Sequence, residues 1–363
     1  MKIDMSAETY RIFDGHNDSL TKALKLHDGD LGSFLQRNDI GHIDLLRARE
    51  AGLVGGFFAI HAPDSLAGGS DDPEPVEDDG NSYRFDLSPA LNCSLAREYT
   101  EDVISKTERL IAESSGRLCM VTDVPSLDQC IDEGKLAIVL HLEGAEAVDA
   151  DLGNLDDLYR RGVRSIGPLW SRPNRFGHGV PYVFPHSPDT GPGLTGAGKE
   201  LVRALNRRGI VLDLSHLNEK GFWDAAALST APLVVSHANA HALCPSTRNL
   251  TDKQLEAVAE SDGLVGVNFC VGFLRPDGRP NTDTPLDVII DHIDYIAERI
   301  GVDHTAFGSD FDGASIPDSL RDVGGYPEIL SLLAGRGYTR DDIRRISFDN
   351  WRRVLTRTWK AGS

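Results

Sequence analysis

Short apolar runs alternate with amphipathic stretches along almost the whole chain. A run of four to eight apolar residues is typical of a buried strand, whereas apolar residues spaced three or four apart are typical of a helix that faces a core. Eight runs are candidate strands, at 10–13, 52–60, 136–142, 163–169, 210–214, 233–236, 263–269 and 304–308. Stretches with helical spacing lie between them, at 96–113, 201–208, 219–228, 252–259 and 284–299. The pattern predicts an α/β fold in which strands and helices alternate.

The apolar runs are nearly continuous, as strands are in a parallel sheet that helices cover on both faces. Eight such strands fit a closed barrel better than an open sheet, and no Gly-x-Gly-x-x-Gly motif follows the first strand to indicate dinucleotide binding. We therefore expect a (β/α)8 TIM barrel, which takes roughly 250 residues and leaves about 110 for loops and flanks. The composition shows no break and no repeat, so residues 1–363 are expected to form one domain.

Two long inserts interrupt the alternation. Residues 62–89, after the second candidate strand, are rich in Asp, Glu, Gly and Pro, and residues 171–198, after the fourth, are rich in Gly, Pro and aromatic residues. Loops that follow barrel strands overhang the end of the barrel where catalytic residues gather. The first insert reads most simply as a solvated acidic loop, and the second as a wall or lid of a pocket.

Polar side chains that bind metals recur where these strands end. The side chains in question are His16, Asp18, Glu143, His216 and His237. His16 and Asp18 project from one face because side chains in a strand repeat every two residues. Three imidazoles and two carboxylates suit zinc or a similar divalent ion. Five ligands are more than one tetrahedral site with an open position needs. They fit two ions if Glu143 bridges the ions.

Each of these residues alone has an ordinary structural explanation, and their ordered placement at strand ends makes the case for a metal centre. Asp310 ends the eighth candidate strand and would face the metals across the barrel mouth, where a carboxylate can act as a general acid and base. Asp312 lies on the same face, but the turn formed with Gly313 is expected to direct it elsewhere. We therefore assign the acid/base role to Asp310.

Bulk composition narrows the possible partners. The chain has 40% hydrophobic and 26% charged residues and a formal charge of −19. The composition is that of a soluble globular protein, and the negative charge argues against a nucleic-acid partner, which needs a basic face. The five cysteines show no Cys-x-x-Cys spacing and read as buried thiols in a reducing compartment. Neither end resembles a leader or a lipid-anchor signal, so we expect a cytoplasmic protein without membrane attachment.

An ordered set of motifs resembles the membrane (renal) dipeptidase family of zinc metallopeptidases. The segments that carry the resemblance are Asp14-Gly15-His16-Asn17-Asp18, Leu142-Glu143-Gly144, Leu214-Ser215-His216, Ser236-His237, Arg248-Asn249-Leu250 and Gly308-Ser309-Asp310-Phe311-Asp312-Gly313. They span nearly the whole chain, and each lies on the element where the family has it. The missing leader and anchor suggest a soluble relative of bacterial type.

The resemblance implies a barrel of the metal-dependent hydrolase (amidohydrolase-like) type with two Zn²⁺ per chain. It implies His16 and Asp18 on one ion, His216 and His237 on the other, and Glu143 as the bridge. It also implies that Arg248 binds the substrate carboxylate and that Asp310 is the catalytic acid and base. A homodimer is a further expectation from the family.

Two positions depart from the family pattern. Trp170 stands where the animal enzymes carry a histidine that contacts substrate, and Phe273 stands where the family has a pocket tyrosine. Both residues remain candidate substrate contacts, but neither offers the polar group of the histidine or tyrosine that it replaces. The departures therefore bear on substrate preference, and they leave the metal ligands intact.

These observations predict a zinc dipeptidase that cleaves one peptide bond with a metal-bridged hydroxide. The resemblance also implies that a D-residue is tolerated at the C-terminal position. The alternative within the same class is another amide or lactone hydrolase on the same binuclear barrel. The alternative from a different class is a metal-binding barrel without catalysis, which the presence of Asp310 beside all five candidate ligands disfavours.

Overall fold

The computed structural model describes residues 10–26, 31–71 and 74–359. The sequence analysis predicts that the two chain ends carry no leader and no lipid anchor. Most of the residues on which that prediction rests lie outside the described ranges. Within them, the strands are β1 (Ile12–Asn17), β2 (Leu53–Ile60), β3 (Glu77–Asp78), β4 (Tyr83–Arg84), β5 (Leu118–Met120), β6 (Leu136–Glu143), β7 (Val163–Gly167), β8 (Val183–Phe184), β9 (Val211–Leu212), β10 (Val234–Val235), β11 (Leu264–Val267) and β12 (Thr305–Phe307).

Helices follow most of these strands. The α-helices are α1 (Ser19–Leu26), α2 (Leu45–Ala51), α3 (Cys93–Glu113), α4 (Val124–Asp132), α5 (Leu155–Arg160), α6 (Gly196–Arg208), α7 (Glu219–Ala226), α8 (Asp252–Glu260), α9 (Val271–Leu274), α10 (Asp287–Ile300), α11 (Tyr326–Arg336), α12 (Arg340–Arg344) and α13 (Asn350–Thr358). Short 3₁₀ turns lie at Gly32–Leu35, Asp64–Ala67, Val302–His304 and Val323–Gly325, and one π-turn lies at Arg345–Asp349. None of the helices in the described ranges is long and apolar enough to cross a membrane.

Eight parallel strands close into the expected barrel. One sheet has the order β1-β2-β6-β7-β9, with β5 also paired to β6, and a second has the order β10-β11-β12. Isolated parallel bridges join the two sheets, from Asp213 to Val234 and from Asn17 to Phe311. The predicted TIM barrel is therefore confirmed.

The predicted strands all exist, but several of their bounds differ. β1 runs to Asn17 because the polar residues of the first motif continue the pairing with β2, up to Asn17 opposite Phe58. β9 and β10 keep only two residues each, since the chain leaves the ladder early to build loops. β5 was not predicted. It is a three-residue strand that pairs with the start of β6. A run of three residues is too short to show the hydrophobic periodicity from which strands are predicted.

The two inserts meet in a small antiparallel sheet. β3 and β4 come from the first insert and β8 from the second, with Tyr83 opposite Phe184. Residues 62–89 are therefore more than a solvated loop, because Tyr83 is buried against Phe184. The second insert is shorter than predicted, since α6 already begins at Gly196.

Apolar packing places the site at one end of the barrel. Phe13, Phe57 and Val139 pack with helix α13 in one apolar cluster, and Trp351 of that helix donates from Nε1 to the Phe307 carbonyl at 3.0 Å. The polar side chains of the motifs follow these apolar positions, at the carboxyl ends of the strands. A TIM barrel uses this end for chemistry.

Candidate metal and substrate site

The five side chains singled out in the sequence converge on one point. His16 Nε2 lies 3.2 Å from Asp18 Oδ2 and 3.5 Å from Glu143 Oε1. The same Glu143 oxygen lies 2.9 Å from His216 Nε2 and 3.5 Å from His237 Nε2. All five residues are buried. Three imidazole nitrogens thus surround a single carboxylate oxygen that comes from the last residue of β6.

The electrostatics of this cluster favour a positive charge at its centre. Burial lowers the pKa of His16, but the Glu143 and Asp18 carboxylates outweigh this effect and raise that pKa to about 10. Burial also raises the pKa of Glu143 well above its usual value, and His16 opposes that rise. Buried carboxylates that hold a proton on a neighbouring imidazole would hold a cation in its place.

The other two imidazoles are kept neutral, as metal ligands must be. Burial lowers the pKa of His216 and of His237 well below the usual value, and the Arg248 guanidinium adds to both effects. The ring nitrogens that face away from Glu143 are held by hydroxyls. Ser171 Oγ lies 2.9 Å from His216 Nδ1, and Ser236 Oγ lies 2.8 Å from His237 Nδ1.

Asp213 organises these two histidine loops and was missed in the sequence. Its carboxylate accepts from Ser215 Oγ at 2.7 Å, from Ser236 Oγ at 2.6 Å and from the Ser236 N–H at 2.8 Å. Since each serine directly precedes a histidine of the cluster, one buried carboxylate orients both. Its position three residues before His216 was a usable signal.

Asp310 lies at the edge of the same cluster. Its Oδ1 is 4.0 Å from His16 Nε2, and its Oδ2 accepts from Asn268 Nδ2 at 2.9 Å. Its backbone φ of +61° is in the left-handed region, which is rare for a residue other than glycine and is found where a side chain must be aimed. Burial raises the pKa of Asp310, and His16 opposes the rise.

Two neighbouring features hold the Asp310 loop in this position. Asp14 accepts from the N–H and the hydroxyl of Ser309, at 2.8 and 2.7 Å, and so ties this loop to β1. Gly313 leaves room for both carboxylates, because a Cβ at that position would come within 2.2 Å of Asp18 Oδ2 and 2.5 Å of Asp310 Oδ1.

The structure directs Asp312 away from the cluster. Its carboxylate accepts from Ser19 Oγ at 2.6 Å and from the His42 N–H at 2.7 Å. It thereby ties the start of α1 to His42, which precedes α2. The acid/base role of Asp310 stays a prediction, and the bonds of Asp312 leave Asp310 as the carboxylate beside the cluster.

Arg248 reaches the cluster from the loop after β10. Its Nη1 donates to the Ser215 carbonyl, its Nη2 lies 3.2 Å from His216 Nε2, and the residue is only 3% exposed. Nε has no hydrogen-bond partner in the described part of the chain. A buried guanidinium with an unused donor beside a metal-ligand cluster suits an incoming carboxylate.

Trp170 and Phe273 form an aromatic wall beside these groups. The Trp170 ring centroid lies 6.0 Å from that of His216, and the Arg248 Cζ atom lies 5.4 Å from the Phe273 ring. Tyr182, from the second insert, packs against both aromatic rings. The second insert therefore supplies part of the wall, as expected for a pocket loop.

A buried ion cluster fixes the loops behind this wall. Arg172, which is fully buried, donates from Nη1 to Asp64 Oδ1 and from Nε to Glu146 Oε1, the latter at 3.0 Å. The three residues come from the loops that follow β7, β2 and β6. The cluster thus ties both inserts to the barrel rim.

We expect Arg172→Ala to lower the free energy of unfolding by about 3–5 kcal/mol, because two carboxylates would stay buried without their cation. Urea unfolding followed by circular dichroism measures this. Arg160→Ala is the matched control. Its side chain is 72% exposed in its ion pair with Asp157, and its removal should cost at most about 1 kcal/mol. An Arg172→Ala loss no larger than that of the control would show that the cluster does not hold the loops.

The donor set fits a divalent metal centre. Among the described residues, two groups of three side chains have ligand atoms close enough to share an ion: His16 with Glu143 and His237, and His16 with Asp18 and Asp310. Imidazole nitrogen with carboxylate oxygen is the mixture that zinc and similar ions prefer. Asp310 belongs to the second group, beside His16 and Asp18.

Comparison with known proteins places this site in a family. Residues 3–362 match the sequence model of a family described as membrane dipeptidase, peptidase family M19. A protein of the pqqA 5′ region of Klebsiella pneumoniae is 49% identical over 253 residues, which cover 70% of this chain and 93% of that protein.

Two solved structures share the fold over nearly their full length. One is described as dipeptidase AC, a metallopeptidase of family M19, with 42% identity, a TM-score of 0.90, and coverage of 98% of this chain and 100% of that one. The other is a metallopeptidase from Rhodobacter sphaeroides with a bound phosphinate mimic of the dipeptide L-Ala-D-Ala. It is 41% identical, has a TM-score of 0.90, and is matched over 97% of this chain and 100% of its own.

Proposed function

Because the chain belongs to the membrane dipeptidase family, peptidase family M19, and is a metallo-dipeptidase, we propose that it hydrolyses free dipeptides with two zinc ions in its site. The observation that carries this proposal is the convergence of three imidazole nitrogens on one Glu143 oxygen beside the unused Nε of Arg248. We include dipeptides with a C-terminal D-residue, because the Rhodobacter sphaeroides relative binds a mimic of L-Ala-D-Ala.

The proposed ligand assignment follows the resemblance to the membrane dipeptidase family. His16 and Asp18 would hold one ion, His216 and His237 the other, and Glu143 would bridge them. When bound, such ions polarise the scissile carbonyl and lower the pKa of water. Proton transfer and substrate orientation are assigned to side chains of the protein.

Asp310 is proposed as the group that moves the proton. Its carboxylate would accept a proton from the attacking water and pass it to the leaving amine. Asn268 holds one of its oxygens at 2.9 Å, and the other faces His16. A carboxylate anchored in this way can exchange a proton with both partners without moving far.

Arg248 is proposed to orient the substrate by its free C-terminal carboxylate. The guanidinium is already held by the Ser215 carbonyl, so little side-chain freedom is lost when a carboxylate binds. Substrate length is thereby limited, because the carboxylate must lie within one residue of the scissile bond. Trp170 and Phe273 would contact the substrate side chains.

A panel of substrates tests the function. The zinc-loaded protein should release amino acids from L-Ala-L-Ala and L-Ala-D-Ala, as measured by chromatography of the products. Dipeptide amides and simple lactones are the controls. Faster hydrolysis of these controls than of any dipeptide would replace the dipeptidase with the general amide or lactone hydrolase.

Metal stoichiometry tests the bridge. Protein loaded with zinc should contain close to two equivalents per chain, and Glu143→Ala should retain one or fewer because each ion loses a ligand. Inductively coupled plasma mass spectrometry measures both, with Glu133→Ala, on the protein surface, as the control. A Glu143→Ala protein with both ions and full activity would rule out the bridging role.

We further propose that residues 1–363 act as one barrel domain in the cytoplasm, with a dipeptide as the small-molecule partner and a second copy of the chain in a homodimer. The five cysteines are free thiols, which supports a reducing compartment. Sedimentation of the purified protein would measure its oligomeric state.

A further inference from the structure

The loop that carries Arg248 is attached to the edge of the small sheet formed by the two inserts. Thr247, which directly precedes Arg248, donates its N–H to the Val183 carbonyl at 3.1 Å. The Val183 N–H in turn donates to Thr247 Oγ1, also at 3.1 Å. β8 is the last strand in the order β3-β4-β8, so Thr247 occupies the edge of β8 that β4 leaves open. Both backbone groups of one strand residue are thus bonded to the residue before Arg248.

The Thr247 hydroxyl forms two of the bonds in this attachment. It accepts from the Val183 N–H and donates to the Pro181 carbonyl. A hydroxyl has one proton to donate and lone pairs with which to accept, so a single side chain can serve both backbone groups. Thr247 is only 1% exposed, so water could not easily replace these bonds if the hydroxyl were removed.

The residue after Arg248 is held by a different part of the chain. Asn249 Nδ2 donates to the Phe273 carbonyl at 2.8 Å and to the Cys244 carbonyl at 2.9 Å. The Phe273 ring also lies beside the Arg248 guanidinium. The backbone of Arg248 is therefore fixed by the second insert through Thr247 and by the segment after β11 through Asn249.

The position of this backbone decides where the Arg248 guanidinium lies. Its Nη1 is held by the Ser215 carbonyl, whereas Nε has no partner in the described part of the chain. A guanidinium pairs with a carboxylate through a planar fork, so the pairing depends on where the fork is placed. A misplacement of about 1 Å can cost on the order of 10²-fold in rate.

We propose that Thr247 is a positioning residue for substrate recognition, because its bonds to Pro181 and Val183 fix Arg248 where the guanidinium meets the C-terminal carboxylate. The inference rests on the proposed function and adds to it that the small sheet of the two inserts takes part in recognising this carboxylate. Thr247 would act only through Arg248 and not on the reacting atoms.

Thr247→Val tests this role because it keeps the branched shape and removes the hydroxyl. We expect kcat/KM for L-Ala-L-Ala to fall about tenfold, mainly through a rise in KM, since a loosened arginine holds the carboxylate less well in ground state and transition state alike. With L-Ala-L-Ala amide, which lacks the carboxylate, kcat/KM should stay within about twofold of the wild-type value. A general loss of structure would lower both values equally.

Three companion variants separate this role from packing alone. Thr247→Ser retains the hydroxyl and should recover kcat/KM for the free dipeptide to within about twofold of the wild type. Thr247→Ala removes the hydroxyl without placing a methyl group against the Pro181 carbonyl, and it supplies the same measurement if Thr247→Val does not fold. Thr107→Val is the matched control. Thr107 is fully buried in α3, where its Oγ1 donates to the Val103 carbonyl at 2.8 Å, and its replacement should leave kcat/KM for both substrates unchanged.

The outcomes separate this inference from the proposed function. A wild-type protein that prefers free dipeptides to their amides, with an unchanged kcat/KM in Thr247→Val, would overturn the role of Thr247 and leave the dipeptidase intact. An equal fall for the free dipeptide and its amide, or a Thr247→Ser variant as impaired as Thr247→Val, would also overturn that role. A wild-type protein that cleaves no dipeptide would overturn the proposed function, and the role of Thr247 with it.

Discussion

Asp310→Asn should keep the metal content of the protein and lose roughly 10²–10⁴-fold in kcat, the usual effect of removing a general acid and base. Asparagine has the shape of aspartate and can stay beside Asn268, but it cannot accept a proton from water. Steady-state kinetics on L-Ala-L-Ala and metal analysis of the same sample measure the two quantities.

Asp312→Asn is the control for this prediction. It removes a carboxylate two residues away that bonds to Ser19 and to the His42 N–H, outside the cluster. Its kcat should stay close to that of the wild type. Loss of metal in Asp310→Asn would instead identify Asp310 as a ligand, in keeping with its place beside His16 and Asp18. Near-normal turnover would remove it from the mechanism.

Removing the pairing between Arg248 and the substrate carboxylate should cut kcat/KM by roughly 10²-fold or more. A charge-assisted contact contributes about 1.5–3 kcal/mol, and a poorly oriented substrate loses further rate. The contact can be removed from either side, by Arg248→Ala or by amidation of the dipeptide. Because both changes delete one interaction, the combination should cost little more than either alone.

The amide substrate also serves as a control for structural damage. Arg248 donates to the Ser215 carbonyl, so its replacement can disturb the loop that carries His216, whereas amidation leaves the protein untouched. Arg248→Lys keeps the charge but not the planar fork, and it should recover only part of the lost rate. Hydrolysis of dipeptide amides as fast as free dipeptides would contradict the dipeptidase assignment.

Much of the fold and of the candidate site could be predicted from local sequence patterns. The alternation of apolar runs and helical spacing indicated eight strands because burial in a covered parallel sheet imposes apolar residues at nearly every position. The period of two placed His16 and Asp18 on one face, and their side chains lie 3.2 Å apart. Positions just after strands indicated Glu143, His216 and His237 because parallel strands end at one rim.

Other features depend on contacts between residues far apart in the chain. Asp213 lies close to His216 in the sequence, but only the fold brings Ser236, from the next strand, to its carboxylate. Arg172 and Asp64 lie in different inserts, and their sequence spacing contains no sign that they pair. The small sheet that joins the inserts is built from strands of two residues, too short for any periodic signal.

The sequence by itself determined which residues occupy the carboxyl rim of the barrel, because strand periodicity and chain order are local properties. Only the tertiary structure decided how those residues are aimed. Asp310 and Asp312 both have a left-handed backbone, and the bonds from Ser19 and the His42 N–H hold the Asp312 carboxylate away from the cluster, although the sequence places both carboxylates on one face. Tyr182 likewise reaches the site only because the second insert folds back onto Phe273, a contact across 91 residues that no local pattern encodes.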